Sequence, residues 1–369
     1  MSSSGPLSHH IVRSAMSRVE LLLAESGCVV LLGSRQTGKT ALAKLIASRR
    51  KSEFVDLAMP SDKDRLGSPE IFFGNNLDQL VVIDEIQEMP DVFSYLKSQI
   101  DESGLTNRAS RTQYLVLGSA SRKILNLAAR HLIGRHTALT LSPLQLHEIL
   151  QSSRRNRIAN GETPMLVRSS DNAKLIEPIF PFENDEDMLE KLWLRGGYPE
   201  SYFAKDMDAS ENWRKAYLAI YFSHDFSAAG VKFDVATIDR FFQEVVLCNG
   251  KLRTDKLGSS LSLGSGGTKR VLGAFEDITF VRQLPPFEKN KKKSLEGSPK
   301  IFVRDTGLLH AVLGVNSMTK LNAHQGMGLS WEGFVIESLI AVDSGSIRPF
   351  YYRFEEKCVF QAIVDGISG

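Results

Sequence analysis

Cysteine is scarce in this sequence: Cys28, Cys248 and Cys358 are the only three in 369 residues, and none has a Cys-x-x-Cys spacing. That argues against a disulfide framework and against a zinc site, and it suits a reducing compartment. Long apolar runs are also missing, since none approaches the ~20 residues that a membrane helix needs. Met1 to His10 is Ser-rich and lacks the apolar core of a signal peptide. Net charge is only +2, so any nucleic-acid or membrane contact has to come from a local patch. The expectation from these absences is a soluble, cytoplasmic protein with no membrane partner. A hydrophobic content of 42% is enough for sizeable cores in two or three domains.

What is present begins with strand-like runs set between helix-like ones. Arg13 to Glu25 carries apolar residues at helical spacing and leads into Cys28-Val29-Val30-Leu31-Leu32, which reads as a strand buried on both faces. Lys39 to Arg50 returns to helical spacing. Leu80-Val81-Val82-Ile83 and Tyr114-Leu115-Val116-Leu117 read as two more buried strands, so the first 150 residues predict an α/β domain with a parallel, doubly wound sheet.

The turn between the first strand and its helix is Gly33-Ser34-Arg35-Gln36-Thr37-Gly38-Lys39-Thr40, followed by Ala41. Two glycines at this spacing let the backbone curl so that successive N–H groups face a phosphate at the positive end of a helix. Lys39 is placed for the β- and γ-phosphates and Thr40 for Mg²⁺. The pattern is a complete P-loop, and it predicts ATP with Mg²⁺ as the ligand pair. Asp84, at the end of an apolar strand, is the predicted second metal ligand, and Glu85 the residue that orients or deprotonates a water. Ser119 closes the third strand where a polar side chain can sense the γ-phosphate. Arg135 and Arg130 compete as an arginine finger, in cis or from a neighbouring copy in a homo-oligomer.

Beyond residue 150 the pattern changes. Residues 151–235 read as a linker, loosest from Ser152 to Phe182, and a helical segment that runs from Asp185, breaks at Gly196-Gly197 and resumes through Tyr221. Trp193, Tyr198, Phe203 and Phe222 recur near helical spacing and are expected in the core rather than on a base-stacking surface. Residues 236–308 carry three helix-length pieces, Ile238 to Leu247, Leu252 to Leu261 and Thr268 to Asp277, with a glycine turn from Gly264 to Gly267 before the third. Apolar stretches around a Lys-rich segment follow. That order predicts a helix-turn-helix with a β-wing. Lys269 and Arg270 would open the recognition helix and Lys289 to Lys293 would tip the wing, a charge arrangement suited to DNA phosphates. The same lysines also suit a merely solvated turn.

The motif set resembles the AAA-type ATPases that carry a DUF4143 C-terminal region. The resemblance rests on the P-loop, on Asp84-Glu85-Ile86-Gln87, on Leu117-Gly118-Ser119-Ala120-Ser121, and on Gly134-Arg135 with Leu141-Ser142-Pro143-Leu144. It continues through Leu194-Arg195-Gly196-Gly197-Tyr198-Pro199-Glu200, Ser298 to Phe302, Asp305 to Leu309 and Trp331 to Val335. It implies a prokaryotic ATP-binding protein with a P-loop domain, a winged-helix-like module and a tail related to restriction-endonuclease-like folds. The tail, residues 309–369, departs from that pattern. Arg353 to Phe360 puts Cys358 and Phe360 where acids are expected, and Glu332 with Asp365 does not make a metal-holding cluster. A degenerate, truncated tail without nuclease activity is the expectation.

The sequence therefore predicts an ATPase whose nucleotide cycle repositions a C-terminal region for contact with DNA or a protein partner. Two alternatives stay open: a nucleotide-gated switch that holds ATP without turnover, and a DNA-binding regulator.

Overall fold

The computed structural model describes residues 11–103, 112–119, 122–159, 185–228, 233–250, 261, 263–287, 299–342, 348–354 and 357–363. Among them a five-stranded sheet forms from β1 (Cys28–Gly33), β2 (Ser52–Asp56), β3 (Leu80–Asp84), β4 (Gln113–Ser119) and β5 (Thr137–Thr140), in the order β2-β3-β4-β1-β5. Every pairing is parallel. The central strands are the apolar ones: each residue of β1 and β3 is buried, as expected of a parallel sheet covered on both faces.

The helices between the strands supply that cover. On one face α1 (Ala15–Ser26) and α2 (Lys39–Ala47) pack Met16, Val19, Leu22, Leu42 and Ile46 against Val29, Leu31, Val82 and Leu117. On the other, α4 (Pro69–Gly74, after α3, Pro60–Arg65), α5 (Val92–Ser103) and α6 (Arg122–His131) pack Phe73, Phe93, Leu96 and Ile124 against Val30, Leu32, Ile83 and Val116. The three central strands lie where the sequence predicts them. The two edge strands were not predicted, because Ser52–Asp56 and Thr137–Thr140 are short and mixed in polarity. They join the sheet by hydrogen bonding to an apolar neighbour.

After α7 (Leu146–Ala159), which occupies the start of the predicted linker, the chain is mainly helical. It runs through α8 (Asp185–Arg195), α9 (Pro199–Tyr202), α10 (Met207–Ala228), α11 (Val235–Leu247) and α12 (Ser265–Asp277). An antiparallel pair follows, β6 (Val281–Leu284) with β7 (Lys300–Val303). Phe222, Phe241, Phe242, Phe275 and Phe280 meet between these elements, and burying each ring is worth roughly 1.5–3 kcal/mol. Helices α13 (Thr306–Leu313), α14 (Met318–Ala323) and α15 (Met327–Val342) and the antiparallel pair β8 (Arg348–Phe354) and β9 (Lys357–Ile363) complete the described chain.

Some expectations need correction and others fall outside this description. The glycine turn from Gly264 to Gly267 is instead the first turn of α12. The N–H groups of Gly267 and Thr268 donate back to Gly264 O, so the glycines start the helix rather than precede it. Phe203 is 39% exposed, whereas Trp193, Tyr198 and Phe222 are buried as expected. Apart from Leu261 itself, the predicted helix from Leu252 to Leu261 lies outside the described residues, as do the lysines at 289–293 and Asp365. Glu332 is taken up by an ion pair with Lys300 at 3.0 Å. No helix among the described residues is long and apolar enough to cross a membrane.

Candidate functional site

The site grows from the carboxyl ends of three adjacent strands. Residue Gly33 of β1 lies beside Ser119 of β4, and β4 separates β1 from β3, whose last residue is Asp84. Gln36 and Gly38 take positive φ, 62° and 94°, and this curls the loop into the start of α2. At Gly38 the left-handed conformation is the one that glycine adopts without cost. The first N–H groups of α2 have no partner within the helix, and its dipole adds positive potential there, so the loop is a ready anion cradle.

The side chains predicted to work there converge. Lys39 is buried, and its Nζ donates to Gly33 O at 2.9 Å and Ser34 O at 2.8 Å. Thr40 Oγ1 donates to Asp84 Oδ2 at 2.6 Å, while Asp84 Oδ1 accepts from the Glu85 backbone N–H at 2.9 Å. A hydroxyl and a buried carboxylate this close form an oxygen-only donor pair of the hard type that Mg²⁺ prefers. Glu85 stands in the left-handed region at φ 54°, next to the site, and its carboxylate accepts from the Gln87 amide. The other end of that amide, Gln87 Oε1, accepts from Ser119 N at 3.4 Å. Gln87 therefore links the residue at the end of β4 to the acid after β3.

Arg135 is placed elsewhere. It precedes β5, at the amino end of the strands, and its guanidinium forms a two-toothed ion pair with Asp101 near the end of α5. The Asp101 hydrogen bonds push the Arg135 pKa up and Arg135 pulls that of Asp101 down. Within one chain Arg135 thus faces the edge of the sheet opposite the P-loop. Arg130, in the last turn of α6, lies toward the same amino-terminal edge of the sheet. An arginine finger from either residue would have to come from a second copy.

Two sets of contacts on the P-loop were not foreseen. Arg13, ahead of α1, donates from Nη1 to Thr37 O at 2.6 Å and from Nη2 to Ser142 O at 2.5 Å, and its Nε meets both oxygens of Glu148 at 3.1 Å. It ties the loop to the segment after β5. From the C-terminal side, Tyr198 Oη donates to Ser34 Oγ at 2.9 Å and Tyr217 Oη donates to Arg35 O at 3.1 Å. These bonds join residues 164 and 182 positions apart, and they leave Ser34 only 1% exposed. Burial pushes the Tyr198 phenol well above its ordinary pKa, so it remains a neutral donor.

The reason Tyr198 can reach the loop lies in the glycine pair before it. A Cβ on Gly197 would stand 2.3 Å from Leu144 O, so only glycine lets the helical region approach the end of the α/β domain this closely. Leu144 N donates to Gly197 O at 2.7 Å, and Gly197 N donates to the buried Asp305 carboxylate at 2.8 Å. The Arg195-Gly196-Gly197-Tyr198-Pro199 block was the available sequence signal. Its role needed the fold to be seen, because Ser34 and Tyr198 are neighbours only in space.

Comparisons with known proteins agree with this geometry. An AAA-domain profile matches residues 25–150, and a domain of unknown function, DUF8612, matches residues 186–319. The second match replaces the DUF4143 region suggested by the sequence motifs. The Walker-type ATPase PABY2304 of Pyrococcus abyssi shares the fold at a TM-score of 0.50, with 12% identity over 82% of this chain and 96% of that one. Uncharacterized protein Rv2008c of Mycobacterium tuberculosis and uncharacterized protein Mb2031c of Mycobacterium bovis are each 32% identical over 341 residues, 92% of this chain and 68% of the relative. On that identity and coverage the chain belongs to the family of these two mycobacterial proteins, and over residues 25–150 it is an AAA-type P-loop nucleotide-binding protein.

Proposed function

We propose that the protein hydrolyses ATP at the P-loop and that its C-terminal region responds to the nucleotide held there. The observation that carries the first part is the 2.6 Å contact between Thr40 and Asp84, which brings together two oxygen donors, one from the first turn of α2 and one from the end of β3, beside the Lys39 cradle. In this reading Lys39 and the N–H groups from Gly33 to Ala41 hold the phosphates, and Thr40 with Asp84 holds Mg²⁺. When bound, the metal supplies charge neutralisation on the phosphate oxygens. Glu85 accepts a proton from the attacking water as its oxygen bonds to the γ-phosphorus and the bond to the ADP oxygen breaks. Support for the second part comes from Tyr198 and Tyr217, which hang the helical region directly on Ser34 and Arg35.

The contact between Glu85 and Gln87 favours a second reading, a switch that retains ATP and turns it over only when Glu85 is released. For output, the helices α11 and α12 with the β6–β7 pair suit a winged-helix-like module. Lys269 and Arg270 are exposed at the start of α12, as a DNA-facing surface requires.

ATP turnover and Mg²⁺-dependent nucleotide binding, with and without duplex DNA, separate these readings. Expected are turnover lost in Glu85→Gln with binding kept, and Mg²⁺-dependent binding weakened in Asp84→Asn. Wild type at background turnover with tight ATP retention selects the switch. Wild type and Glu85→Gln turning over equally would sink the assignment of Glu85.

A further inference from the structure

The open edge of the sheet faces a cleft that the nucleotide site does not use. Among the described residues strand β5 is the last in its sheet and bonds β1 alone. Leu141 N donates to Leu32 O at 2.6 Å, and this fixes the phase of the strand. By the two-residue alternation of a strand, Thr137 and Leu139 share that direction, while the N–H and C=O groups of Ala138 and Thr140 point outward. Ala138 and Thr140 are exposed. Natural sheets usually cover, charge or twist away such an edge. Here it opens onto a cleft of about 490 Å³ between the α/β domain and the C-terminal region.

The walls of the cleft are rich in guanidinium groups. Arg18 of α1 stands on one side of the sheet edge and Arg122 of α6 on the other, with Arg282 and Arg304 on the facing wall. Arg122 pairs with Asp277 at 3.0 Å yet remains 62% exposed. Arg282 and Arg304 share one carboxylate, that of Glu337, so this trio keeps a net positive charge. Arg18 is exposed and no acidic partner lies within reach among the described residues. Glu276, also in the wall, bonds the side-chain amide of Gln283 at 2.9 Å.

We propose that this cleft takes an extended acidic peptide segment of a partner protein, which adds to β5 as a sixth strand. Backbone pairing to Ala138 and Thr140 gives the affinity, and carboxylates at every second residue, which share one face of the added strand, meet Arg18 on the α1 side of the sheet. The site is independent of the P-loop chemistry, so it stands or falls apart from the ATPase reading.

The test uses the full chain and a fluorescein-labelled peptide of alternating valine and glutamate, followed by fluorescence anisotropy. Thr140→Pro removes an outward N–H and no bond to β1, so it blocks strand addition while the sheet stays paired. Saturable, salt-sensitive binding is expected for wild type, weakened by at least ~10-fold in Thr140→Pro and in Arg18→Glu. The same peptide with serine for glutamate should bind less tightly. ATP binding by each variant reports on folding. If Thr140→Pro does not fold, Arg18→Glu decides on its own. Absence of wild-type binding, equal binding by wild type and a folded Thr140→Pro, or equal binding by wild type and Arg18→Glu overturns the proposal. So does a single-stranded oligonucleotide that binds the cleft more tightly than the peptide and ignores Thr140→Pro.

Discussion

The nucleotide-binding side chains and the core of the C-terminal region hold their buried polar groups in opposite ways. Around the P-loop, Lys39 donates to carbonyls of its own loop, and Thr40 and Asp84 bond each other. In the C-terminal region Glu337 and Asp305 are locked by partners from separate elements. Glu337 of α15 takes Arg282 from β6 and Arg304 from the end of β7, and Asp305 takes the amides of Gly197 and Leu308. Arrangements of the first kind exchange partners at little cost, whereas breaking the second strands a charge away from water. The large protonation shifts at Glu337 and His310 therefore mark an interlock. They do not mark a reaction centre, although a perturbed titration often points to one.

The interlock should break first. Burial alone would raise the Glu337 pKa, but Arg282 and Arg304 outweigh it and hold the group at about 2. Glu337→Ala leaves two partly buried guanidinium groups without their shared anion, and we expect a loss of about 3–5 kcal/mol in chemical denaturation. Glu337→Gln, which keeps the shape and some hydrogen bonding, should lose less. Equal stability of Glu337→Ala and wild type would remove the contrast between the two regions.

The nucleotide site should respond in the opposite sense, with activity lost and fold kept. Lys39→Ala removes hydrogen bonds to two carbonyls of its own loop, so a near-wild-type melting temperature is expected. ATP turnover should fall by roughly 10²–10³. If stability drops as far as in Glu337→Ala, Lys39 is part of the scaffold and the distinction fails.

A pH titration sharpens the same comparison. His310 lies buried between Leu194 O, 3.2 Å from Nδ1, and Ser330 Oγ, 2.8 Å from Nε2, and Trp193 Nε1 donates to that same serine. Burial lowers its pKa from 6.5 to about 4. Between these values the unfolded chain binds a proton that the folded chain refuses, so stability falls as pH drops from 6.5 toward 4. The loss attributable to this group is on the order of 2–3 kcal/mol. Denaturation midpoints at pH 7 and pH 4.5 should diverge more for wild type than for His310→Gln. Equal divergence would assign the acid sensitivity to other groups.

What the sequence revealed follows the same division. Strands β1, β3 and β4 were legible because an apolar run between glycine and acidic signals has few alternative readings. The P-loop was legible because its spacing is set by a phosphate. Arg13, Tyr198 and Tyr217 were not, since their partners are backbone or hydroxyl groups far along the chain and no local pattern encodes them. Whether Arg135 acts in cis or in trans was not legible for the same reason: its neighbourhood in sequence says nothing of which end of the sheet it reaches. The C-terminal region was legible as helices, but its buried charge network depends on pairings such as Arg282 with Glu337, 55 residues apart.

The smallest expected effect bears on how the two regions communicate. Tyr198→Phe leaves Ser34 Oγ without this donor in a buried place, costing about 1 kcal/mol, and Tyr217→Phe removes a donor from the half-buried contact with Arg35 O, costing less. Turnover should change little, since neither hydroxyl touches Lys39, Thr40 or Asp84. The rise in melting temperature produced by saturating ATP is the sensitive readout, because the ligand stabilises whatever is coupled to its site. In wild type both regions should melt later with ATP. In the double variant the C-terminal region should gain less than the α/β domain, and limited proteolysis with ATP should cut it sooner. If both regions keep their full ATP-dependent gain, the two hydroxyls only fill space, and the link between the nucleotide and the helical region runs through Gly197 and Leu144 instead.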